Sequence, residues 1–103
     1  MFVLCLTILS FPLKKSYEYG KYKIRSNAVN ADRIRSGILN ENFIKKRAFS
    51  RGVSENEYMQ GNLLQKEVLA KNVAKAFMDL ADSEVTTGAV LTVDGGNISA
   101  ALR

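Results

Sequence analysis

The segment Thr87-Gly88-Ala89-Val90-Leu91-Thr92-Val93-Asp94-Gly95-Gly96 decides the fold class of this chain. Its mostly apolar run over 89–93 predicts a β-strand, and the Asp-Gly-Gly-Asn sequence over 94–97 predicts the turn that ends the strand. A strand with so few polar positions favours a sheet covered on both faces, which is typical of parallel α/β proteins.

Two patterns upstream extend this interpretation. Apolar residues at alternating positions over 24–29 predict a second, short strand that ends in a loop. The residues Val73, Ala76, Phe77 and Leu80 recur at helical spacing and predict a helix over 70–82. The order is therefore strand, long helical excursion, strand, and such a connection suits a right-handed parallel crossover.

The excursion itself predicts one or two helices over 40–60. Asn40 is a candidate N-cap, and Ser54 with Glu57 has the spacing of a capping box. Gly52 is a stop signal between them. Further upstream, 16–23 predicts the end of another helix, with Gly20 in the left-handed position that follows a helix.

Composition limits the function classes. The chain has 103 residues, which is enough for one core at most, and it has no His and one Cys. A zinc site built from His and Cys is excluded, as is the usual His base of Ser and Cys hydrolases. No metal ligands are predicted.

The net charge of +5 is unevenly distributed. Eleven basic and three acidic residues lie over 14–51, giving +8, and four basic and seven acidic residues follow from 52, giving −3. A basic half of this kind leaves open an alternative function, a small basic protein that binds nucleic acid or an anionic membrane surface. Aromatic residues interleaved with the charges are few, so we expect solvated surface charge and consider nucleic acid an unlikely partner.

Residues 1–13 are almost all apolar, but a stable membrane span needs about 20 such residues, so none is expected. The features of a secretory signal are also missing, since no basic residue precedes the run and no small-residue cleavage site follows it. Three interpretations stay open: a buried helix or strand, a weak membrane anchor, or sequence foreign to the ancestral fold.

The two strand patterns carry a family resemblance. Ile24-Arg25-Ser26-Asn27-Ala28-Val29 resembles the I-R-V-N-x-V strand of short-chain dehydrogenases/reductases, and the segment 87–96 resembles their closing T-G-x-x-L-x-V-D-G-G strand. Asn72-Val73-Ala74 stands where the family often has D-V-A. The resemblance covers about 17–103. In finer detail, 30–37, 51–55, 58–59 and 61–64 resemble the dehydrogenase half of bifunctional class II aldolase/short-chain dehydrogenase proteins. This includes Ala31-Asp32, where most members of the wider family have Pro-Gly.

This resemblance implies an α/β fold, the C-terminal fragment of a Rossmann-like doubly wound parallel sheet with two strands and about three helices. We expect 1–16 to be an apolar segment of uncertain origin and 17–103 to be a partial dehydrogenase domain. The parent activity would be that of a cytoplasmic, NAD- or NADP-dependent oxidoreductase acting on a hydroxyl or carbonyl substrate. The aldolase-fused relatives suggest that this substrate is sugar-derived.

The family's cofactor turn and catalytic centre are not found in the sequence. No G-x-x-x-G-x-G or G-x-G-x-x-G occurs, although the family places the cofactor pyrophosphate there. Tyr17 and Lys21 spell Y-x-x-x-K, but Tyr17 lies only ten residues before Asn27, where the family has nearly thirty. We therefore predict no catalytic residue in this chain, and we expect it to be inactive alone and not to bind NAD or NADP.

The resemblance also implies where parts of the parent's site would lie. The loop residues Asn30, Ala31, Asp32, Arg33 and Ile34 would line the nicotinamide side of the cofactor cleft. Within a helical lid over 38–64, Phe43, Tyr58 and Met59 would contact substrate. The competing interpretations are solvated loop charges for Arg33 and Arg35, and core packing for the three lid residues. The last helix and strand would mediate self-association or contact a complementing dehydrogenase chain.

Overall fold

A computed structural model describes residues 2–5 and 10–97 of the chain. The chain divides into two compact units, a sheet unit formed by 1–31 with 71–93 and a lid unit formed by 32–70 with 94–103. In chain order the elements are β1 (Phe2–Cys5), α1 (Ser10–Tyr19), a 3-10 helix (Gly20–Tyr22), β2 (Arg25–Ala31), α2 (Glu41–Ser50), α3 (Glu55–Met59), α4 (Ala70–Asp82) and β3 (Val90–Val93).

The sheet unit confirms the predicted α/β class. Its strands are parallel and lie in the order β1-β2-β3, with Ala28 beside Val90 and Ala31 beside Val93. The sequence predicts two strands, and the structure adds β1 from the apolar N-terminal segment. Three interpretations of that segment were open. The structure forms a strand over residues 2–5 and the start of a helix over 10–13. Helix α1 continues without a break across residue 16, where the sequence predicts a division between the apolar segment and the partial domain. The foreign origin of the apolar segment stays a prediction.

The two motif strands are joined to each other by hydrogen bonds outside the regular ladder. The Ser26 amide donates to Thr87 Oγ1 at 3.1 Å, and the Gly88 amide donates to the Ser26 carbonyl at 2.8 Å. Gly88 has φ +71°, and a Cβ there would lie 2.9 Å from Ser16 Oγ, so this close turn requires glycine. In the closing motif, Thr87 therefore accepts a hydrogen bond from β2, and Gly88 allows the backbone to turn close to α1.

Asn27 makes the second connection between these segments. Its side chain is fully buried; Nδ2 donates to the Thr86 carbonyl at 3.0 Å and Oδ1 accepts from the Ala89 amide at 3.0 Å. Both ends of the amide are therefore satisfied, as burial of a polar group requires. The arrangement fixes the chain just before β3.

Arg25 ties β2 to the end of α4. Its Nη1 donates to the carbonyls of Leu80 at 2.9 Å and Ser83 at 2.8 Å, and its Nη2 donates to the carbonyl of Ala81 at 2.9 Å. The last carbonyls of a helix lack intrahelical partners, and α4 has no basic residue of its own in its last turn. A guanidinium from the sheet therefore caps this helix and complements its dipole.

The apolar core of the sheet unit lies between β2, β3 and α4. Val29, Ala76 and Leu80 are buried together, with Val73, Phe77 and Val93 packed against them, which confirms the predicted stripe on α4. Val90 and Leu91 remain 38% and 37% exposed, so the expected cover on both faces of β3 is only partly present.

The two helices of the lid unit begin at the N-caps that the sequence predicts. Asn40 Oδ1 accepts from the Phe43 amide at 3.0 Å at the start of α2, and Ser54 and Glu57 form both hydrogen bonds of the capping box at the start of α3. Gly52 adopts φ +67° between the two helices. The core of this unit consists of Ile44, Ala48, Tyr58 and Met59, with Leu39 packed against it.

The end of α1 corrects one expectation. The helix ends at Tyr19 as the sequence indicates, but Gly20 does not take the left-handed conformation and instead begins the 3-10 helix. Lys23 takes it, with φ +65°, and its amide donates to the Gly20 carbonyl. The 3-10 turn postpones the change of direction by three residues, to the position just before β2.

Candidate functional site

The five residues predicted to line the nicotinamide side fall in both units. Asn30 and Ala31 are the last residues of β2 and pair with Thr92 and Val93 of β3. Asp32, Arg33 and Ile34 begin the lid unit as a half-buried loop. The loop after the carboxyl end of a parallel strand is the usual place for ligand-binding residues in this type of sheet.

Asp32 and Arg33 are engaged within the lid unit. Asn97 Nδ2 donates to Asp32 Oδ2 at 2.5 Å, and Arg33 Nε lies 3.4 Å from the same oxygen. Arg33 has φ +53°, its Nη1 donates to the Tyr58 carbonyl, and its guanidinium lies 4.5 Å from the centre of the Tyr58 ring. The side chain of Arg33 is only 15% exposed, so it braces the end of α3 and is not a solvated loop charge.

Arg35 is held by two carboxylates. Its Nε lies 2.5 Å from Glu67 Oε1, and its Nη1 lies 2.5 Å from Glu41 Oε1. The hydrogen bonds to Glu67 and then Glu41 raise the pKa of the Arg35 guanidinium, which keeps it cationic. Because two carboxylates already neutralise its charge, Arg35 is poorly suited to a phosphate group.

The three predicted lid residues separate into two kinds. Tyr58 and Met59 are 4% and 1% exposed and form the core of the lid unit, where the Arg51 guanidinium also lies 5.2 Å from the Tyr58 ring centre. Phe43 is 47% exposed on α2, with the Arg47 guanidinium 5.4 Å from its ring centre. Packing thus accounts for Tyr58 and Met59, and of the three predicted lid residues Phe43 alone is exposed.

The lid unit contains a depression of about 460 Å³, within the size range of small-molecule sites. It is lined by Gln60, Gly61, Asn62, Leu63, Gln65, Gly96 and Asn97. Amides and backbone groups dominate this lining, and no lining side chain titrates near neutral pH. The depression can hydrogen-bond a small polar molecule, but it supplies no acid, base or nucleophile.

The Asp-Gly-Gly turn forms one wall of this depression. Asp94 Oδ1 accepts from the Gly96 amide at 2.9 Å, and the two glycine carbonyls accept from the amides of Leu63 and Leu64. A Cβ on Gly95 would lie 2.5 Å from the Asn62 side chain. The sequence identifies this turn but not its contact with 62–64, since that contact depends on close approach of two backbones distant in sequence.

Tyr17 and Lys21 do not lie in the same helix. Tyr17 is 90% exposed on α1, whereas Lys21 belongs to the 3-10 helix that follows, where its ammonium lies 5.1 Å from the Tyr22 ring centre. The spacing of four residues therefore does not place them on one α-helical face.

Neither a metal site nor a membrane-spanning helix is found among the described residues. Across 2–5 and 10–97 no cluster of three or more His, Cys, Asp or Glu side chains could hold a metal ion. No helix in that same part of the chain is both long and apolar enough to cross a membrane.

The described residues do not fit the pyrophosphate of NAD or NADP. That group needs a glycine-rich strand-to-helix turn with free amides, or cationic side chains with free donors. In the loop after β2, Arg33 contacts the Tyr58 carbonyl and Asp32, and Arg35 is paired with Glu41 and Glu67. Among residues 2–5 and 10–97, neither this loop nor the depression provides a glycine-rich turn for the phosphates.

Comparison with known proteins gives structural matches alone. No family model matches the sequence, and no curated protein matches it. Solved structures do match: a short chain dehydrogenase family protein from Francisella tularensis subsp. tularensis SCHU S4 has 23% identity and a TM-score of 0.70. This chain is covered to 88% in that comparison, and the dehydrogenase to 40%.

Two further solved structures match to a similar extent. ElxO with NADP bound has 29% identity and a TM-score of 0.67, with 88% of this chain and 36% of ElxO covered. A protein named ribose-5-phosphate isomerase, from Brucella melitensis 16M, has 23% identity and a TM-score of 0.66, with 85% and 32% covered. The chain thus spans well under half the length of these structures. It has their fold, and fold alone does not decide a reaction.

Proposed function

We propose that this chain is the C-terminal portion of an NAD- or NADP-dependent short-chain dehydrogenase/reductase. The observation that carries the proposal is the hydrogen-bonded contact between the two motif strands, where Asn27, Thr87 and Gly88 each have a specific structural task. The likeness to a short chain dehydrogenase and to an NADP-bound structure supports the same assignment.

Within the proposal, the parent reaction is oxidation of a hydroxyl or reduction of a carbonyl group. The resemblance to aldolase-fused dehydrogenases favours a sugar-derived substrate and a cytoplasmic location. The loop from Asn30 to Ile34 would border the nicotinamide, and Phe43 would be the lid residue that approaches substrate. The chain would contribute these surfaces and the closing strand, whereas the phosphate cradle and the Ser, Tyr and Lys side chains would come from another polypeptide segment.

On its own the chain would then be inactive and would need a complementing segment. The open side of β1 is where such a segment would add parallel strands, because residues 2–5 pair only with β2 among the described strands. The last helix and strand, α4 and β3, would support self-association or contact with a second dehydrogenase chain.

Complementation tests the proposal directly. The amino-terminal portion of the Francisella tularensis dehydrogenase, ended before the segment that this chain matches, is co-expressed with the full 103-residue chain. We expect the two to co-purify and to bind NADPH or NADH saturably, measured by nicotinamide fluorescence.

The control is Val29→Asp, which places a carboxylate in the core between β2 and α4, where Val29 is fully buried. This variant should abolish co-purification. If the unaltered chain fails to associate with the amino-terminal portion although both are folded, the proposal is wrong.

A further inference from the structure

The outer face of α2 combines exposed aromatic rings with positive charge. Ile44 and Ala48 are buried and define the inner face of the helix. With about 3.6 residues per turn, the direction opposite them is occupied by Lys46, with Phe49 and Phe43 on either side of it. Phe49 is 88% exposed and Phe43 is 47% exposed. We call this surface the α2 outer face, and Lys45 and Arg47 lie on its two flanks.

The charge of this face is one-sided. Lys45, Lys46 and Arg47 are all exposed, and Arg51 follows at the end of the helix. The one acidic residue of α2, Glu41, is already paired with Arg35 at 2.5 Å, so it does not offset the three cations. The face therefore attracts an anionic partner.

Two exposed phenylalanines decide between kinds of anionic partner. A Phe side chain in water costs free energy that burial at the lipid boundary would recover, and binding at a lipid interface combines buried apolar area with the attraction of cations to anionic lipids. Binding to single-stranded nucleic acid favours a cationic groove in which bases stack on aromatic rings. The α2 outer face is convex, with its rings on opposite sides of Lys46, which matches a planar surface better than a strand in a groove.

We propose that the α2 outer face docks this protein on an anionic lipid surface, with Phe49 inserted at the headgroup level and Lys45, Lys46 and Arg47 against lipid phosphates and carboxylates. The negative cytoplasmic leaflet supplies such a surface. This inference does not depend on the proposed dehydrogenase function. Cofactor binding with a complementing segment and vesicle binding by this chain can each succeed or fail separately.

The absence of tryptophan allows a specific probe of the docking. In Phe49→Trp the single indole reports on the α2 outer face, and in Tyr17→Trp it reports on a surface of α1 where Tyr17 is 90% exposed. With phosphatidylcholine vesicles containing phosphatidylserine, we expect a blue shift and quenching by brominated lipid for the first variant only. Equal responses from both variants, or none from the first, would overturn the proposal.

Charge removal tests the electrostatic part by vesicle co-sedimentation of the full chain. The double variant Lys45→Gln/Lys46→Gln should weaken binding about 25-fold, because each cation near such a surface contributes about fivefold. The matched control, Lys14→Gln/Lys71→Gln, removes the same charge from exposed positions in α1 and α4 and should change binding less than about twofold. Equal losses in both would mean that net charge, and not this face, is responsible.

Vesicles of different composition and a competing oligonucleotide distinguish a lipid partner from a nucleic acid. Vesicles of phosphatidylcholine alone should not sediment the protein, and a single-stranded oligonucleotide should not compete with the anionic vesicles. If the protein binds the oligonucleotide through Lys45 and Lys46 but ignores both kinds of vesicle, the proposal is wrong and the face is a nucleic-acid site. Far-UV circular dichroism of every variant confirms that the exposed substitutions leave the fold intact.

Discussion

Arg25 gives the sharpest stability prediction because one side chain reaches three carbonyls of another element. Substitution by Met keeps most of the aliphatic stem but removes every donor. The carbonyls of Leu80, Ala81 and Ser83 then lose hydrogen bonds of 2.8–2.9 Å at the end of α4. A hydrogen bond to a charged group is worth about 1.5–3 kcal/mol, and a cation at a helix C-terminus about 0.3–1 kcal/mol.

These contributions overlap, and the site is only partly buried, so their sum is an upper limit. Water can rehydrate some of the freed carbonyls, which leaves an expected loss of about 2–4 kcal/mol in the free energy of unfolding. For a chain of this size the loss corresponds to a fall in Tm of roughly 10–25 °C. Arg25→Lys keeps the charge but not the planar fork, so its loss should be intermediate.

Urea unfolding of the full chain, followed by far-UV circular dichroism, measures this loss. Lys14→Met is the matched control, since Lys14 is exposed on α1 and its removal should change stability by less than about 0.5 kcal/mol. If Arg25→Met unfolds within that same margin of the unaltered chain, the account of Arg25 as the cap of α4 is refuted.

Three other substitutions each test a single contact. Thermal or urea unfolding measures the change in the free energy of unfolding for each. Ser26→Ala should stabilise the chain by about 1 kcal/mol, because Ser26 Oγ is buried without a hydrogen-bond partner; a loss of stability would show that the hydroxyl has one. Gly95→Ala should cost about 2 kcal/mol, because φ is +65° and the new Cβ would meet Asn62; no cost would mean that the turn relaxes freely. Ser54→Ala should cost about 1 kcal/mol by removing the capping box of α3, and Ser54→Asp should recover most of it.

Local signals in the sequence were sufficient for the helices. The caps at Asn40 and Ser54 and the stripe from Val73 to Leu80 predict α2, α3 and α4 to within one or two residues, because each depends on neighbours in the chain. The apolar segment before residue 14 carried no such signal. Its choice of a strand in 2–5 depends on pairing with β2, a contact distant in sequence.

The candidate site was less predictable for the same reason. The roles of Arg25 and Asn27 follow from backbone carbonyls and an amide that lie 55–62 residues away, which no local pattern reveals. Arg33 looked like a loop charge in the sequence, but its left-handed backbone directs it onto Tyr58. For Tyr58 and Met59 the sequence left substrate contact and core packing open, and the structure buries both against α2.

We propose that the chain supplies the closing part of a dehydrogenase sheet and that its residues 2–5 and 10–97 contain no cradle for the cofactor's phosphates. Titration of the isolated, folded chain with NADPH, followed by nicotinamide fluorescence, tests it most directly. We predict a linear rise in fluorescence with no saturable component, in contrast to saturable binding when the complementing amino-terminal portion is present. Saturable binding by the isolated chain would contradict the account, because its described residues would then hold the pyrophosphate after all.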